Sequence, residues 1–360
     1  MKEIGSHFEY NTTIKGNEYN KLNWLPKDQA DYTFTFSGRS AIELALINIM
    51  RDREVKSVYM PSYCCSSMLQ SFKKYDIKIE FYKVTISETG LAFDIDVNKK
   101  IDVFFAISYF GLEQSMDNVI LKMSDNNVVV IEDVTHRLLS KRTHFIKSDY
   151  LIASLRKWFP IPTGGLLMKK DGFIFNKPTR NSDTFVVEQL EAMKLKTNYI
   201  EGKHIDKQIF LEKFKTINKY INELDATYQI DSSSKEILNL IDVDNLKYIR
   251  KSNAMHLYNK LEEMQIIKPL FPEPDFETMT PLFIPIIAKN KMIRSNLVNY
   301  LIEHQIYCPI HWPVSDEIIL NNKIKYIYDL EISLVCDQRY DENEMNKIIK
   351  VIGEFEYNYA

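Results

Sequence analysis

The stretch that decides the fold runs from residue 150 to residue 165 and reads Tyr150-Leu-Ile-Ala-Ser154-Leu-Arg-Lys157-Trp-Phe-Pro-Ile-Pro-Thr-Gly164-Gly165. Its apolar start predicts a buried strand, after which Ser-x-x-Lys stands in a loop and a glycine pair leads into a second apolar run. Burial among Leu, Trp and Phe removes the charge of a lysine, and the neutral amine that results can form a Schiff base. The alternative is an ordinary surface lysine in a loop.

Around this stretch, from about residue 33 to residue 170, short β-rich runs alternate with helical patterns. Most of the β-rich runs are continuously apolar, which is typical of strands covered on both faces and so of a mainly parallel α/β sheet. The predicted strands are Val58–Met60, Ile77–Val84, Val103–Ile107, Asn127–Ile131, Tyr150–Ala153 and Gly165–Met168. The predicted helices, each with a serine at or beside its start as a candidate N-cap, are Ser40–Arg51, Ser66–Lys74 and Ser115–Met123.

The second half of the chain has a different character. The region from Asp183 to Ile230 is charged and amphipathic with almost no Pro or Gly, which predicts helices, some of them suited to packing against a second subunit. Beyond about Ile241, the pattern predicts a strand, Leu282–Ala288, and two helices, Ser295–His304 and Glu342–Phe355. We therefore predict a large domain over residues 1–235 and a smaller domain over residues 236–360, with roughly the first 25 residues packing on the smaller one.

Composition limits the classes of function. The chain has 360 residues, 45% of them apolar, and a formal net charge of −3, which gives no reason to expect nucleic acid or an anionic membrane as a partner. No apolar stretch approaches the roughly 20 residues that span a bilayer, and the first residues lack the apolar segment of a signal peptide. The four cysteines match neither a disulfide framework nor a zinc spacing. We expect a cytoplasmic protein without a metal.

A second informative segment is Phe36-Ser-Gly38-Arg39-Ser40-Ala, in which a strand runs through a glycine into a helix. The free amides and the dipole of a helix N-terminus attract phosphate. Gly38 lets an anion approach the backbone, Ser40 adds a hydroxyl group and Arg39 adds positive charge. The alternative is an ordinary turn with a serine cap.

A third segment, residues 129 to 136, carries a buried strand into Glu132-Asp133-Val-Thr-His136. Open α/β sheets bind their ligands at the carboxyl ends of the strands. An aspartate at such a place can keep a pyridine nitrogen protonated, which is the partner expected in sites for pyridoxal 5′-phosphate (PLP), and His136 can contact the ring or its phenolic oxygen. The alternatives are a helix cap for Asp133 and a structural role for His136.

In their order, these segments resemble the fold-type I PLP enzymes, specifically the sugar aminotransferases of the DegT/DnrJ/StrS type. The resemblance covers roughly residues 33 to 170. It rests on Ser37-Gly38-Arg39-Ser40-Ala41, Val58-Tyr-Met-Pro61-Ser62-Tyr63, Ser108-Tyr-Phe-Gly111 with Met116-Asp117, Glu132-Asp133-Val-Thr-His136, and Lys157 with Gly164-Gly165. It implies a mainly parallel sheet in a three-layer αβα large domain plus a smaller C-terminal α+β domain, PLP as cofactor, and a homodimer with its sites at the subunit interface.

The resemblance also implies roles for individual residues. Lys157 is the expected Schiff-base and proton-transfer residue, Asp133 the partner of the pyridine nitrogen, and His136 a contact of the ring or phenolic oxygen. The other cofactor-binding residues that it implies are Gly38, Arg39, Ser40 and Ser154, which form the phosphate cup, and Tyr63 and Cys65 beside the ring.

The chain departs from the family pattern within the matched region. Cys65 stands where members carry an aromatic residue, so that Tyr63 or His136 is expected to cover the ring face. Ser108 replaces a histidine, and Thr163 replaces the glutamate that usually precedes the glycine pair.

The substrate side is less defined by the sequence. The family's Gly-Tyr-Asn-Tyr-Arg segment, which supplies an asparagine to the partner subunit's cofactor, has no match after residue 175, and Asn198 is a speculative stand-in. We interpret Cys308-Pro-Ile-His311-Trp312-Pro as a loop that overhangs the site rather than a metal motif. Arg339 either lies near a substrate carboxylate or phosphate or belongs to a surface turn.

These observations predict a PLP-dependent aminotransferase that acts on a nucleotide-linked keto-sugar, with glutamate as the expected amino donor, in amino-sugar and surface-polysaccharide biosynthesis. Lys157 argues against the sugar dehydratase branch, which has histidine in its place. Two alternatives stay open: a PLP enzyme acting on a small keto-phosphate or an amino acid, and a catalytically idle family member used for binding.

Overall fold

The structure is a computed structural model that describes residues 3–10, 22–25, 30–112, 116–141, 147–221, 223–314, 318 and 322–359. The strands among these residues are β1 (Ile4–Gly5), β2 (Asp31–Thr35), β3 (Ser57–Pro61), β4 (Lys78–Ser87), β5 (Gly90–Asp94), β6 (Val103–Ile107), β7 (Val129–Asp133), β8 (Tyr150–Ser154), β9 (Gly165–Lys169), β10 (Ile267–Pro269), β11 (Ile284–Ala288), β12 (Ile306–Tyr307) and β13 (Glu331–Leu334). The helices are α1 (Gly38–Asp52), α2 (Ser66–Lys74), α3 (Asp117–Asp125), α4 (Asp183–Ile200), α5 (Lys207–Tyr220), α6 (Ser232–Leu240), α7 (Val243–Leu261), α8 (Lys291–Glu303), α9 (Asn322–Leu330) and α10 (Glu342–Tyr359).

Eight of the strands form one sheet in the order β2-β9-β8-β7-β6-β3-β4-β5. The four central pairings, β8–β7, β7–β6, β6–β3 and β3–β4, are parallel, whereas the pairings towards both edges are antiparallel. Every residue of the central β6 is buried, as its continuous apolar sequence predicts. The predicted fold class is confirmed: the chain is a mixed α/β protein with a large, mainly parallel central sheet.

The predicted elements of this sheet are present with small shifts at their ends. β6 and α2 have the predicted bounds. The strand predicted to begin at Asn127 begins at Val129, because Asn127 has a φ of 61° and closes the turn after α3.

The prediction of a serine cap is wrong for α2, whereas α1 does have a serine cap. Helix α1 begins at Gly38, and its cap is Ser37, whose hydroxyl group accepts a hydrogen bond from the Ser40 amide at 3.2 Å. The N-cap residues of α2 and α3 are Cys65 and Met116, and neither side chain makes a capping bond. Ser115, where the third helix was predicted to begin, lies outside the described residues.

A smaller antiparallel sheet of order β10-β11-β13 lies in the C-terminal part of the chain. Strand β1 pairs in parallel with β12, so the N-terminal segment lies against the C-terminal region. The domain boundary near residue 235 and the packing of the first 25 residues stay predictions, and residues 1–2 and 11–21 lie outside the described part. Within the ranges given above, no helix has both the length and the apolarity that crossing a bilayer requires.

Candidate active site

Two cavities meet at Lys157. The sheet-edge cavity, of about 340 Å³, lies at the carboxyl ends of β7 and β8, and its lining includes Gly38, Cys65, Asp133, Ser154 and Trp312. The terminal cavity, of about 500 Å³, lies between residues 5–8 and the C-terminal region, and its lining includes His7, Arg250, Phe283, Asp337 and Arg339. Three residues line both cavities: Arg156, Lys157 and His311.

Lys157 is held in place by the residue that follows it. β8 ends at Ser154, and residues 155–157 form one 3₁₀ turn. The indole of Trp158 is fully buried, donates a hydrogen bond to the Thr135 carbonyl oxygen at 2.6 Å and lies 4.6 Å from the Arg250 guanidinium. Because the backbone of the turn is anchored from both sides, the Lys157 amine has a defined position where the cavities join.

The contacts of the Lys157 amine favour its neutral form. His136 Nδ1 accepts a hydrogen bond from the Phe110 amide at 3.1 Å, so the proton of the neutral imidazole is on Nε2. His136 Nε2 lies 3.2 Å from Lys157 Nζ and therefore donates to the lone pair of an unprotonated amine. Burial lowers the pKa of Lys157, against the opposing charge of Asp133, and burial and Lys157 together hold the pKa of His136 well below its usual value. This arrangement suits nucleophilic attack and proton transfer.

The two carboxylates at the end of β7 have different roles because neighbouring strand residues point to opposite faces. Glu132 accepts hydrogen bonds from Arg137 at 2.6 Å, Ser148 at 2.8 Å and Ser108 at 3.0 Å, so its charge is fully used in holding the fold. Asp133 lines the sheet-edge cavity and accepts one hydrogen bond from the Thr135 amide at 2.8 Å.

Asp133 is a buried acid in need of a cation. Burial raises the pKa of its carboxyl group, while hydrogen bonds from Thr135 and the charge of Lys157 act in the opposite direction. A cationic ligand group beside Asp133 would supply the positive charge that a neutral Lys157 does not.

The start of α1 forms a cup at the opposite wall. Ser37 caps the helix, and its hydroxyl group lies 3.0 Å from that of Ser40. A Cβ atom at Gly38 would come within 3.0 Å of Ser154 Cβ, so the glycine keeps the helix start next to the serine of Ser-x-x-Lys. Gly165 has a stronger requirement, because its Cβ atom would lie 2.1 Å from the Ser37 carbonyl oxygen. The glycine pair therefore lets β9 pass directly behind the cap of α1.

Arg39, which the sequence assigns to the phosphate cup, also lines this cavity. Burial lowers the pKa of its guanidinium group, and the nearby Cys65 acts in the opposite direction. Cys65 lines the cavity too, with its sulfur 3.1 Å from Ser67 Oγ. The first turn of α1 and the start of α2 thus face one space.

The aromatic residue of this cavity comes from the C-terminal region. Trp312 lines it, with its ring 5.8 Å from the His136 ring at an interplanar angle of 27° and 5.9 Å from Lys157 Nζ. Tyr63, which the sequence analysis placed beside the ring, is fully buried behind Trp312 at 5.1 Å and does not line the cavity. Trp312 belongs to the loop that the sequence analysis expected to overhang the site, and this loop supplies Ile310, His311 and Trp312 to the cavity.

His311 belongs to a buried polar network. Its Nδ1 lies 2.8 Å from Ser333 Oγ, Ser333 in turn donates to the Glu331 carboxylate, and the His311 amide donates to the same carboxylate at 2.8 Å. Burial raises the pKa of Glu331 to about 8, and burial with the neighbouring Lys157 holds the pKa of His311 well below its usual value. A neutral His311 therefore donates from Nδ1 to Ser333 and leaves Nε2 as an acceptor.

The terminal cavity contains Arg339, one of the ambiguous residues of the sequence. Its guanidinium group is buried, forms two hydrogen bonds with Asp337 at 2.9 and 2.7 Å, and reaches Glu9 at 3.2 Å. These partners raise the pKa of Arg339. Arg339 thus stands in a turn, partly buried, and connects the N-terminal segment to the C-terminal region.

The positions that depart from the family pattern have structural explanations. Ser108 binds Glu132, as described above. Thr163, in place of the usual glutamate, donates to Asp231 at 2.5 Å and fixes the cap of α6. Asn198, the stand-in for the partner-directed asparagine, accepts a hydrogen bond from Lys203 at 2.7 Å and lines neither cavity.

Solved structures share this architecture. A putative sugar aminotransferase from Streptococcus pneumoniae, in its PLP form, matches with a TM-score of 0.65 and 14% identity over 98% of this chain and 93% of that one. A Helicobacter pylori aminotransferase involved in pseudoaminic acid biosynthesis matches with a TM-score of 0.65 and 13% identity over 92% and 88%. A DegT DnrJ EryC1 StrS aminotransferase from Brucella abortus matches with a TM-score of 0.60 and 14% identity over 91% and 86%.

The chain has the fold of these aminotransferases. No protein-family model matches the sequence, and no curated protein matches it. Within the aminotransferase fold, the sheet-edge cavity meets the chemical requirements of PLP: a neutral lysine, a buried carboxylate, a helix N-terminus with hydroxyl groups, and an aromatic wall.

Proposed function

We propose that this chain is a PLP-dependent aminotransferase that transfers an amino group from glutamate to a nucleotide-linked keto-sugar in amino-sugar biosynthesis for surface polysaccharides. The observation that carries the proposal is the convergence of Lys157, Asp133 and the start of α1 on one cavity. The aminotransferase fold supports it, as do the names of the similar structures, which include a putative sugar aminotransferase and an enzyme of pseudoaminic acid biosynthesis.

Each residue would have a distinct task in this function. PLP, when bound, supplies a conjugated ring that stabilises negative charge on the substrate carbon. Asp133 would hold the pyridine nitrogen protonated, and the start of α1 with Arg39 and Ser154 would bind the phosphate. Lys157 would remove a proton from one carbon and return it to the next, which requires an amine that is neutral near neutral pH. His136, through its Nε2 proton, would hold that amine in place.

We assign the face of the cofactor ring to Trp312. Tyr63, the residue first expected there, packs against Trp312 with ring centroids 5.1 Å apart and does not line the cavity. His136 is engaged at both ring nitrogens, by the Phe110 amide and by Lys157. Trp312 offers an indole surface that lines the cavity, and indole is well suited to stacking on an aromatic ring.

We further propose that the protein is a homodimer and that α4 and α5 contribute to the interface. Both helices expose apolar side chains: Val187 is 62% exposed and Ile209 is 48% exposed. Ile221, directly after α5, lines the sheet-edge cavity, which connects this face to the site. Light scattering on the purified protein tests this part of the proposal, and a monomer at micromolar concentration would contradict it.

The first experiment locates the cofactor. The purified protein should be yellow, and borohydride reduction should attach the cofactor permanently to Lys157, as mapped by peptide mass spectrometry. Lys169→Ala serves as a matched control that keeps the colour. If the cofactor is found on Lys141 or Lys169, the assignment of Lys157 is wrong.

The second experiment tests the reaction. Glutamate alone should bleach the yellow band and produce stoichiometric pyridoxamine phosphate, and a nucleotide-linked keto-sugar should then restore the band and yield an amino sugar. Small keto-phosphates are tested as acceptors in parallel. Restoration only with a small keto-phosphate would refute the sugar acceptor, and no bleaching with any common amino donor would refute the aminotransferase.

A further inference from the structure

Arg156 occupies the junction of the two cavities without a bonding partner. It lines both of them, is half-buried, and forms neither a hydrogen bond nor an ion pair with any residue that the structure describes. The two other arginines of the terminal cavity are engaged: Arg250 bonds Gln338 at 2.8 Å and the Leu282 carbonyl oxygen at 2.9 Å, and Arg339 is paired with Asp337. A guanidinium group withdrawn from water in this way needs an anion.

Arg156 has a positive neighbour on one side and a neutral one on the other. Arg39 faces it from the sheet-edge cavity, and burial together with this like charge lowers the pKa of Arg156 to about 10. On the other side lies His7, whose pKa is lowered to about 4 by burial and then by Arg156, Lys196 and Arg339, so His7 is neutral. Asp337, the acid of the terminal cavity, is already bound to Arg339. The two described acids that line the cavities, Asp133 and Asp337, form no ion pair with Arg156.

The position of Arg156 relative to Lys157 defines which anion fits. The two residues are consecutive in the same 3₁₀ turn, and both line both cavities. An α-amino acid carries its carboxylate and its amine on one carbon, so a cation and the reacting lysine must reach adjacent atoms of the substrate. The planar fork of arginine binds carboxylate with two parallel hydrogen bonds.

We propose that Arg156 binds the α-carboxylate of the amino donor, which enters through the terminal cavity. The inference rests on the proposed aminotransferase function and adds to it a residue that recognises the donor. Carboxylate and phosphate share the oxyanion chemistry that Arg156 can bind. The sheet-edge cavity already has its own candidate phosphate-binding groups, namely the α1 N-terminus, Arg39 and Ser154. Arg156, by contrast, also lines the terminal cavity, in which His7 lies.

The test compares Arg156→Gln and Arg156→Lys with the wild type in the first half-reaction, followed by stopped-flow absorbance. In Arg156→Gln the apparent Kd for glutamate and for L-alanine should rise roughly 10- to 100-fold, since a charge-assisted pair is lost, while the maximal rate changes little. Arg156→Lys should recover part of the affinity. Arg53→Gln, at a partly buried arginine that bonds Asn127 and lines neither cavity, is the control and should keep the donor affinity of the wild type.

Three further measurements separate the outcomes. The Kd of PLP for the cofactor-free protein should stay within about threefold of the wild type in Arg156→Gln; a tenfold loss with unchanged donor affinity would assign Arg156 to the cofactor phosphate and overturn the proposal. An effect with glutamate but not with L-alanine would overturn the α-carboxylate assignment. Thermal stability should not fall, because Arg156 makes no bond and its removal relieves repulsion with Arg39.

A direct measurement of ligand binding makes the result independent of catalysis. Calorimetry of 2-oxoglutarate with the cofactor-free protein should show binding by the wild type and a loss of roughly tenfold or more in Arg156→Gln. If the wild type carries out no half-reaction, the proposed function fails, but this titration still decides whether Arg156 binds a carboxylate. Equal binding by both proteins would overturn the proposal.

Discussion

The two cavities that meet at Lys157 are built in different ways. The sheet-edge cavity is formed largely by the ends of β7 and β8 and the starts of α1 and α2, short segments in which a few neighbouring residues set both backbone and chemistry. The terminal cavity is formed by residues 5–8 and by loops after residue 300, joined through ion pairs such as Arg339–Asp337. The first is a product of local chain geometry, and the second of long-range packing.

We propose that this difference separates the cofactor site from the substrate site. A strand end and a helix start hold their groups rigidly, as a site for a constant cofactor requires. Loops and terminal segments can change without disturbing the sheet, as a site for a variable substrate requires. We therefore expect substitutions in the sheet-edge cavity to change cofactor binding and chemistry, and substitutions in the terminal cavity to change substrate affinity.

The largest expected effect is that of Asp133→Ala. Loss of the carboxylate removes the partner of the pyridine nitrogen, so the rate of the glutamate half-reaction should fall by about 1,000-fold or more. Circular dichroism should show an unchanged fold, and Asp133→Asn, which keeps the shape but not the charge, should lose nearly as much. A rate close to that of the wild type would remove Asp133 from the mechanism.

An intermediate effect is expected for Gly165→Ala. The added Cβ atom would lie 2.1 Å from the Ser37 carbonyl oxygen, so β9 or the cap of α1 must move, at a cost of about 3 kcal/mol in the free energy of unfolding. PLP affinity should fall with it because the cap is part of the phosphate cup. Urea unfolding and a PLP titration measure the two effects.

Gly353→Ala is the control for this substitution. Gly353 lies within α10 with no atom within 4 Å of its Cβ position, so alanine should stabilise the protein by up to about 1 kcal/mol. If Gly165→Ala were as stable as Gly353→Ala, the sheet-edge cavity would be less rigid than we infer from its comparison with the terminal cavity.

The smallest effect concerns the pH dependence of stability. The folded pKa of Glu331 is raised from 4.5 to about 8, so the folded state holds this proton more tightly than the unfolded state does. The contribution of Glu331 is therefore greatest below pH 4.5 and is lost as the pH rises towards 8. Glu331→Gln should reduce the loss of stability between pH 5 and pH 8 by about 1 kcal/mol. The effect is no larger because hydrogen bonds from Ser333 and His311 partly stabilise the ionised form. Melting temperatures from pH 5 to 8 measure it, and parallel curves for both proteins would contradict it.

The sequence predicted the position of a site residue where the residue and the strand that places it lie in one short segment. Asp133, Ser154 and Lys157 follow apolar runs that end at one edge of a parallel sheet, so their convergence could be predicted from periodicity and topology. The loop that carries Trp312 was expected to overhang the site, but which of its residues lines the cavity depends on how a segment more than 150 residues from Lys157 packs on the sheet. Tyr63 was placed in the cofactor site for a local reason and lies behind Trp312. Arg156 lies in the stretch from residue 150 to residue 165, but only the structure shows that it has no bonding partner among the described residues.

The terminal cavity is closed by contacts between the two ends of the chain, and this has a consequence for how the protein folds during translation. The Gly5 amide donates to Tyr340 Oη at 2.8 Å, across 335 positions of sequence, and β1 pairs with β12. A chain emerging from the ribosome can assemble the eight-stranded sheet and α1 once about half of it has been made, since domains fold as units from the N-terminal side, whereas His311 and Trp312 join the sheet-edge cavity only later. The N-terminal segment must then wait, unpaired, until translation is nearly complete. Premature termination between residues 312 and 340 therefore leaves a protein that contains every residue lining the sheet-edge cavity but lacks the Gly5–Tyr340 contact beside the terminal cavity.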